Sequence, residues 1–452
     1  MIHKAGNIWL FLAKAFLFLV VVGIFFIGQN IFYEQTLFYY WGNYIVIILY
    51  AAYLYFLGRI YQAFKFGSLN ISEIILSWIL CMAVANILEY FMLSLLESRL
   101  LSVVGFLVVL GAQLILVTPL TILIDKLYYH LNPVEKSIII YGEADKAREY
   151  KNIIEKHRKK FEIIYIASQD ETSAKLNSMI EKSDSVFLLD MNEKSREQVL
   201  EHCFLHNKRA YILPTFSGVL LNTAEISWIS NTPMFLPKSP EPDLGTRIIK
   251  RFMDIFISLI AIICLSWLML IILVVTTLYD RRSAIYKQVR ITKGGKLFTL
   301  YKFRSMRPDA EDDGIPRLTS RDDKRVTPFG RVIRKTRLDE LPQLFNVLGG
   351  AMSLVGPRPE RPEISKQYEE IYPNFSLRTK VKAGITGFAQ IHGRYDTAPD
   401  EKLYLDMIYI ERFSIWQDLR LLLQTITVLF KPASTEGILG ESVTALRTKP
   451  EK

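Results

Sequence analysis

Four long apolar runs open this chain, at about residues 8–28, 38–57, 72–95 and 100–124. Each approaches the ~20 residues a helix needs to cross a bilayer's hydrocarbon core. No water is there to satisfy free backbone groups, so such runs have to be helical. Residues 1–131 are therefore expected to form a four-helix transmembrane bundle. The loop of residues 29–35 holds no Lys or Arg, whereas the next loop holds Arg59 and Lys65. Lys126 and Lys136 follow the fourth run. Lys and Arg favour the cytoplasmic side, so the N-terminus is expected inside and the chain returns there after four passes. Arg99, in the third loop, runs mildly against this order.

A fifth apolar run covers Phe252 to Tyr279. Its ~28 residues make ~42 Å of helix, enough to span. Lys250 and Arg251 precede it, and Arg281 and Arg282 follow it. Positive charge on both flanks predicts that both ends stay on the cytoplasmic side. The expectation is a re-entrant membrane helix over 241–282, broken near its middle at Ser266, whose hydroxyl would serve a freed backbone group. A simple fifth span is the alternative.

Residues 132–240 read as a Rossmann-like α/β domain. Short β-rich runs at 137–141, 161–166, 185–189 and 209–213 alternate with charged helical stretches, the pattern of a parallel sheet. A dinucleotide site needs several glycines after the first strand. Here the turn reads Gly142-Glu-Ala-Asp-Lys-Ala-Arg148, with one glycine, which disfavours an NAD-dependent enzyme. Pro237, Pro240 and Pro242 mark a linker. Cys81, Cys203 and Cys264 show no disulfide or zinc spacing. His202 and His206 are four apart, but no third metal ligand lies nearby in sequence, so they read as surface residues.

Residues 283–431 carry the charge. From Asp280 to Lys382 there are 23 Lys and Arg against 13 Asp and Glu, which accounts for the whole net charge of +10. Such a surface suits anionic lipid or nucleotide; no nucleic-acid partner is expected. The run Ile285–Arg290 suggests a strand, and Gly294-Gly295 a turn. Asp309, Glu311, Asp312 and Asp313 read as a solvated acidic loop. A helix-like stretch from Val332 to Leu348 follows, with a boundary or kink near Asp339 because Pro342 sits early in a turn. Within it, Asp339 and Glu340 lie in a field of arginines, and Glu340 stands three residues from Arg337. Carboxylates among arginines are expected to stay ionised, ready for a nucleophilic or metal-binding role. Lys302, Arg304, Arg334, Arg337 and Arg358 are the candidates to hold phosphate. Tyr404 to Phe430 reads as one helix, and the polar tail from Pro432 to Lys452 as mobile.

The second half of the chain resembles the bacterial sugar transferases called polyprenyl-phosphate glycosyl-1-phosphate transferases. The resemblance rests on Lys250-Arg-Phe-Met-Asp254, Tyr301-Lys-Phe-Arg-Ser-Met306, Arg334–Asn346, Met352–Pro359 and Gly384-Ile-Thr-Gly387. The four runs plus the α/β domain are similar to the large members of that family, which begin capsule, exopolysaccharide or O-antigen synthesis. The resemblance implies that Asp339 attacks the β-phosphorus of a UDP-sugar, expels UMP and carries the sugar phosphate as an aspartyl intermediate. Undecaprenyl phosphate would then accept it. It further implies Mg²⁺ held by Glu340 and Asp339, and phosphate held by Arg334 and Arg358. The expected fold is a membrane protein, α plus α/β, with a small mainly helical catalytic domain. The expected setting is the bacterial inner membrane, with that domain cytoplasmic, in contact with membrane lipid and as a homodimer. Glucose and galactose are the expected sugars. A non-catalytic membrane scaffold for polysaccharide assembly is the alternative. Two positions depart from the family pattern: Trp267 follows Ser266 where proline is usual, and Ala351 replaces an aspartate. His392 is expected to be structural or to line the substrate, not to be catalytic.

Overall fold

The structure, a computed structural model, describes residues 2–32, 41–157, 159–237, 241–280, 282–307, 323, 325–393 and 398–428. Arg281, the acidic loop from Asp309 to Asp313, and the tail from Pro432 lie outside the described residues. The chain divides into two compact units, Met1–Leu213 and Pro214–Lys452.

The first unit begins with α1 (Ile2–Phe32), α2 (Gly42–Ile60), α3 (Ile71–Leu96) and α4 (Val103–Leu131). Each is long and apolar enough to cross a membrane. α1 packs on α2 and α4, and α3 packs on the same two. The α3 start is fixed locally, since the Asn70 N–H donates to Glu73 Oε2 at 3.1 Å. One buried polar chain joins all four helices. Asn86 Nδ2 donates to Gln113 Oε1 at 2.7 Å, and Gln113 Nε2 donates to Tyr50 OH at 2.8 Å and Val21 O at 3.2 Å. A satisfied network of this kind specifies register among surfaces that are otherwise uniformly apolar.

The same unit then alternates strands and helices: β1 (Glu135–Tyr141), α5 (Ala144–Glu155), β2 (Phe161–Ser168), α6 (Ser173–Glu181), β3 (Ser185–Leu189), α7 (Glu193–Leu205) and β4 (Arg209–Ile212). The strands pair in the order β2-β1-β3-β4, all parallel. Alternate residues of β1 enter two separate cores: Ile138 and Ile140 meet α6 and α7, while Ile139 meets α5. Coverage of both faces explains the consecutive apolar residues Ile138, Ile139 and Ile140 in β1. A Cβ at Gly142 would collide with the Asp190 carbonyl. The lone glycine after β1 therefore serves the close approach of the β1 and β3 ends.

The second unit opens with α8 (Phe216–Leu221) and the hairpin β5 (Glu225–Ile229) and β6 (Thr232–Leu236). Next comes α9 (Leu244–Asp280), then the hairpin β7 (Ile285–Ile291) and β8 (Leu297–Phe303). Gly294 and Gly295, at φ +69° and +74°, make its turn, as the sequence led us to expect. α10 (Pro328–Lys335), α11 (Gln343–Leu348), β9 (Ser353–Val355), α12 (Pro362–Ile371), β10 (Gly384–Thr386), α13 (Phe388–His392), α14 (Pro399–Glu411) and α15 (Ile415–Val428) complete it. β9 and β10 form a short parallel pair. Their core gathers Leu344, Val347, Met352, Val355, Tyr368 and Phe375 with residues of α14 and α15.

The boundary expected near Asp339 is present: the Val332–Leu348 stretch is two helices parted by a reversal at Arg337. Two expectations change. Over its described residues the stretch from Tyr404 is not one helix but two, because Ser414 Oγ accepts from the Gln417 N–H at 3.1 Å and starts a new helix there. And α9 runs through Ser266 without the break expected there. Trp267, unlike proline, keeps its N–H and adds no ring clash, so the ladder of hydrogen bonds continues. The Ser266 hydroxyl donates to Ile263 O of its own helix at 2.9 Å.

α9 has two unlike faces. Asp254, Ser258, Ile272 and Thr276 are buried, with Ile257, Ala261, Leu268 and Met269 filling the same stripe at three- and four-residue spacing. From Asp254 to Thr276 this covered stripe is ~33 Å long at 1.5 Å per residue. The opposite face exposes Phe252, Phe256, Leu259, Ile263, Trp267, Leu270 and Leu278.

Candidate active site

The site is assembled on β8, on the reversal after α10 and on the turn after β9. Asn346 anchors β8: its Nδ2 donates to Thr299 O at 2.7 Å, and its Oδ1 accepts from the Tyr301 N–H at 3.0 Å. Thr327 caps α10 by accepting from the Gly330 N–H at 2.9 Å, with Pro328 in the first turn. The chain then turns back at Arg337, whose φ of +55° is unusual for a residue with a side chain. Holding it there costs on the order of 1 kcal/mol or more. The reversal delivers a 3-10 turn, Leu338–Glu340, in which both acids are buried. The Pro357-Arg358-Pro359 turn is held from behind. Arg290 Nη1 donates to Pro359 O at 3.0 Å, and Arg378 Nη2 donates to Arg358 O at 3.0 Å.

The two carboxylates have different surroundings. Glu340 Oε1 accepts from Lys302 Nζ at 3.1 Å and from Arg358 Nη2 at 2.9 Å, and Arg337 Nη1 lies 3.8 Å from Oε2. Burial acts to raise the Glu340 carboxyl, but Arg358, Lys302 and Arg337 outweigh it and hold the group well below the usual carboxylate range. Asp339 makes no hydrogen bond or ion pair with a described residue. Burial pushes its carboxyl up; Lys302 opposes that and the Glu340 anion adds to it. The cations thus lower the Glu340 carboxyl as expected, while for Asp339 burial outweighs them and acts in the opposite direction.

Of the cations expected to hold phosphate, Lys302, Arg337 and Arg358 converge on Glu340. Arg334 is near enough for its charge to act on Asp339 and on Asp323. Arg304, just past β8, makes no hydrogen bond or ion pair through its side chain with a described residue. Ser266 lies on α9, and its hydroxyl bonds within that helix, to Ile263 O. The His392 ring packs on Phe388 at 4.4 Å. The Ala351 carbonyl accepts from Thr292 Oγ1 at 2.7 Å.

Chemically, the arrangement gathers cations that can meet a polyanion beside a buried carboxylate. The family described as bacterial sugar transferase matches residues 245–432. An undecaprenyl-phosphate galactose phosphotransferase of Salmonella typhimurium is 31% identical over 330 residues, 66% of this chain and 68% of that protein. The chain belongs to the bacterial sugar transferase family. A UDP-glucose:undecaprenyl-phosphate glucose-1-phosphate transferase of Klebsiella pneumoniae is 39% identical over 217 residues, 47% of this chain and 46% of that protein. A UDP-N-acetylgalactosamine-undecaprenyl-phosphate N-acetylgalactosaminephosphotransferase of Aeromonas hydrophila is 37% identical over 236 residues, 52% of this chain and 55% of that protein. The chain thus spans about half the length of these last two relatives.

Sequence reasoning on this transferase missed the residues that hold the site in shape. Arg378 bonds Glu360 at 3.3 Å and Asp406 at 2.7 Å, and Lys402 bonds Glu360 at 3.1 Å. Arg251 donates to Val347 O and Leu348 O, both at 2.6 Å, and closes the C-terminal end of α11. Lys250 pairs with buried Asp418, and Asp254 Oδ1 accepts from the Leu354 N–H at 3.2 Å. For Lys250, Arg251 and Asp254 the signal was the motif that contains them. For Arg378, Lys402 and Asp406 the local sequence carries none, since each reads as an ordinary surface charge.

Proposed function

We propose that this chain transfers a sugar 1-phosphate from a UDP-sugar to undecaprenyl phosphate and releases UMP. The observation that carries this reading is the inequality of the two acids. Glu340 is bound by Lys302, Arg358 and Arg337, while neighbouring Asp339 is left without a described partner. A carboxylate oxygen of Asp339 attacks the β-phosphorus of the UDP-sugar. The bond from that phosphorus to the bridging oxygen breaks, and UMP departs with the electron pair. The aspartyl phosphosugar is then attacked by the phosphate oxygen of undecaprenyl phosphate, which forms the lipid diphosphosugar and restores the Asp339 carboxylate. Arg358, Lys302 and Arg334 spread the charge that grows on the phosphates.

Mg²⁺ fits the donor set. Asp339 offers hard oxygens with no described partner, and Glu340 Oε2 is approached only distantly, by Arg337. One or two carboxylates with water and substrate phosphate is the usual shell of this ion. When bound it supplies further positive charge to the diphosphate.

We place α9 along the cytoplasmic surface of the inner membrane, not across it. Its covered stripe of ~33 Å nearly equals the thickness of a hydrocarbon core, so a crossing helix would draw the packed basic domain into lipid. Its other face is predominantly apolar, and the exposed Ser266 and Thr277 hydroxyls donate to carbonyls of the same helix, as suits an in-plane anchor. With both flanks basic, both ends stay on one side. A cysteine placed after Arg282 should be labelled only from the cytoplasmic side; labelling from outside intact cells overturns this arrangement.

The decisive assay is UMP release by the full chain in membranes from UDP-glucose, UDP-galactose and UDP-N-acetylgalactosamine. Turnover is expected on at least one hexose donor and is abolished by Asp339→Asn. Retained turnover in that variant ends the nucleophile assignment. If Asp339→Asn still supports polysaccharide synthesis in cells, the chain is a scaffold and not the transferase.

A further inference from the structure

We propose that the α/β domain carries a binding site for a transition-metal dication of the Zn²⁺ type, formed by Glu181, His202 and His206. The sequence shows only the two histidines, four residues apart. The third ligand comes from α6, which packs beside α7 and so brings Glu181 to them. That packing adds a third side chain, which the spacing of the two histidines does not show.

Three observations carry the proposal. First, one donor atom from each side chain lies within 4.8 Å of the other two, and both imidazole Nε2 atoms stand 4.0 Å from the same atom, Glu181 Oε1. That is too long for a hydrogen bond. Tetrahedral Zn²⁺ with bonds of about 2.1 Å separates its ligand atoms by about 3.4 Å, so small side-chain rotations close the set on an ion. Second, His206 Nδ1 lies 3.0 Å from the His202 carbonyl. A ring N–H given to a carbonyl leaves Nε2 as the lone-pair atom, the usual way a metal-binding imidazole is oriented. Third, the His202 ring is 14% exposed, and its Nε2 is buried without a hydrogen-bond partner. A buried imidazole nitrogen left unpaired is costly unless something ligates it.

The ligands stand on fixed supports. Glu181 ends α6, and its carbonyl accepts from Lys208 Nζ at 2.8 Å. His202 is in the last turn of α7 and His206 caps it. The Glu181 and His206 side chains are 57% and 41% exposed, which leaves the fourth position to water. Two imidazoles and one carboxylate favour Zn²⁺, Co²⁺ or Ni²⁺ over Mg²⁺. A bound ion would tie the end of α6 to the end of α7 on one face of the sheet, away from the strand ends where Gly142 lies.

The test uses the full chain in detergent, purified without a histidine tag and stripped with chelator. Titration with ZnCl₂ should give one ion per chain, and MgCl₂ should give none at this site. Bound Co²⁺ should show the visible bands of tetrahedral coordination. His202→Ala and His206→Ala should each weaken Zn²⁺ binding by at least about tenfold and remove the Co²⁺ bands. Glu181→Gln and His206→Asn, both at exposed positions, should also weaken it and keep the test readable if His202→Ala disturbs the core. Absence of Zn²⁺ uptake by the wild-type chain, or unchanged affinity in these variants, overturns the proposal.

Discussion

Two buried charge clusters flank the Pro357-Arg358-Pro359 turn, and they are balanced differently. Around Glu360 each acid meets cations directly: Glu360 meets Arg378 and Lys402, and Asp406 meets Arg378. Around Glu340 three cations crowd one carboxylate, while Asp339 has no described partner. Both clusters use the same residue types in the same domain. The first closes on itself and holds the backbone of the turn. The second has positive charge to offer an incoming phosphate and a carboxylate able to react. Complete pairing marks scaffold, and an unmatched acid beside gathered cations marks chemistry.

The largest expected effect separates the two clusters. Asp339→Asn should cut UMP release by on the order of 10³-fold or more. It should also raise stability at neutral pH, because it removes a buried carboxylate whose ionisation folding disfavours. Glu360→Gln should do the reverse to stability. It leaves Arg378 and Lys402 short of a counter-charge and costs about 3–5 kcal/mol by thermal or denaturant unfolding. If both variants lose activity and stability alike, the distinction between the clusters fails.

Next comes pH. Asp339 has to be ionised to attack, and burial raises its carboxyl. Turnover should therefore fall on acidification while the pH is still above the ordinary carboxylate range. Glu360 behaves oppositely. Burial works against its charge, but Lys402, Arg378 and Arg290 hold it far below the usual range. Its contribution to stability is full above the unfolded-state value of about 4.3 and is lost only as the pH falls below that. Activity should thus drop at a pH where unfolding has not begun, which a pH–rate profile beside a pH–melting profile measures.

A smaller effect is expected at Arg358, which reaches Glu340 from a side chain that is 40% exposed. Arg358→Lys keeps the charge and loses the fork. It should raise KM for the UDP-sugar and lower kcat by about 10- to 100-fold together. Arg304→Ala should change turnover least, by under about threefold, since its side chain makes no hydrogen bond or ion pair with a described residue. A loss as large as that of Arg358→Lys would bring Arg304 into the site after all.

Much was legible in the chain because the signals are local. Apolar length marked the five long helices, and alternation marked the four parallel strands. The glycine pair announced the β7–β8 turn. The Asp339-Glu340 pair and its arginines stood in one stretch of sequence. What could not be read depended on distant partners. The reversal at Arg337 needs the surrounding domain to hold a left-handed residue in place. Arg378, Lys402 and Asp406 reveal a role only when packing buries them with Glu360.

By itself, then, the sequence determined the membrane-length helices, the α/β order and the family motif, because periodicity and residue type act over a few neighbouring positions. Tertiary structure decided three further things. It showed that α9 continues through Ser266 with one face covered by the domain that follows it. It brought Glu181 to a histidine pair that looked idle. And it gave adjacent Asp339 and Glu340 opposite electrostatic surroundings, which no spacing rule separates. The physical reason is the same in each case: burial and charge pairing are set by residues far apart in the chain, and they are fixed only when the chain has folded.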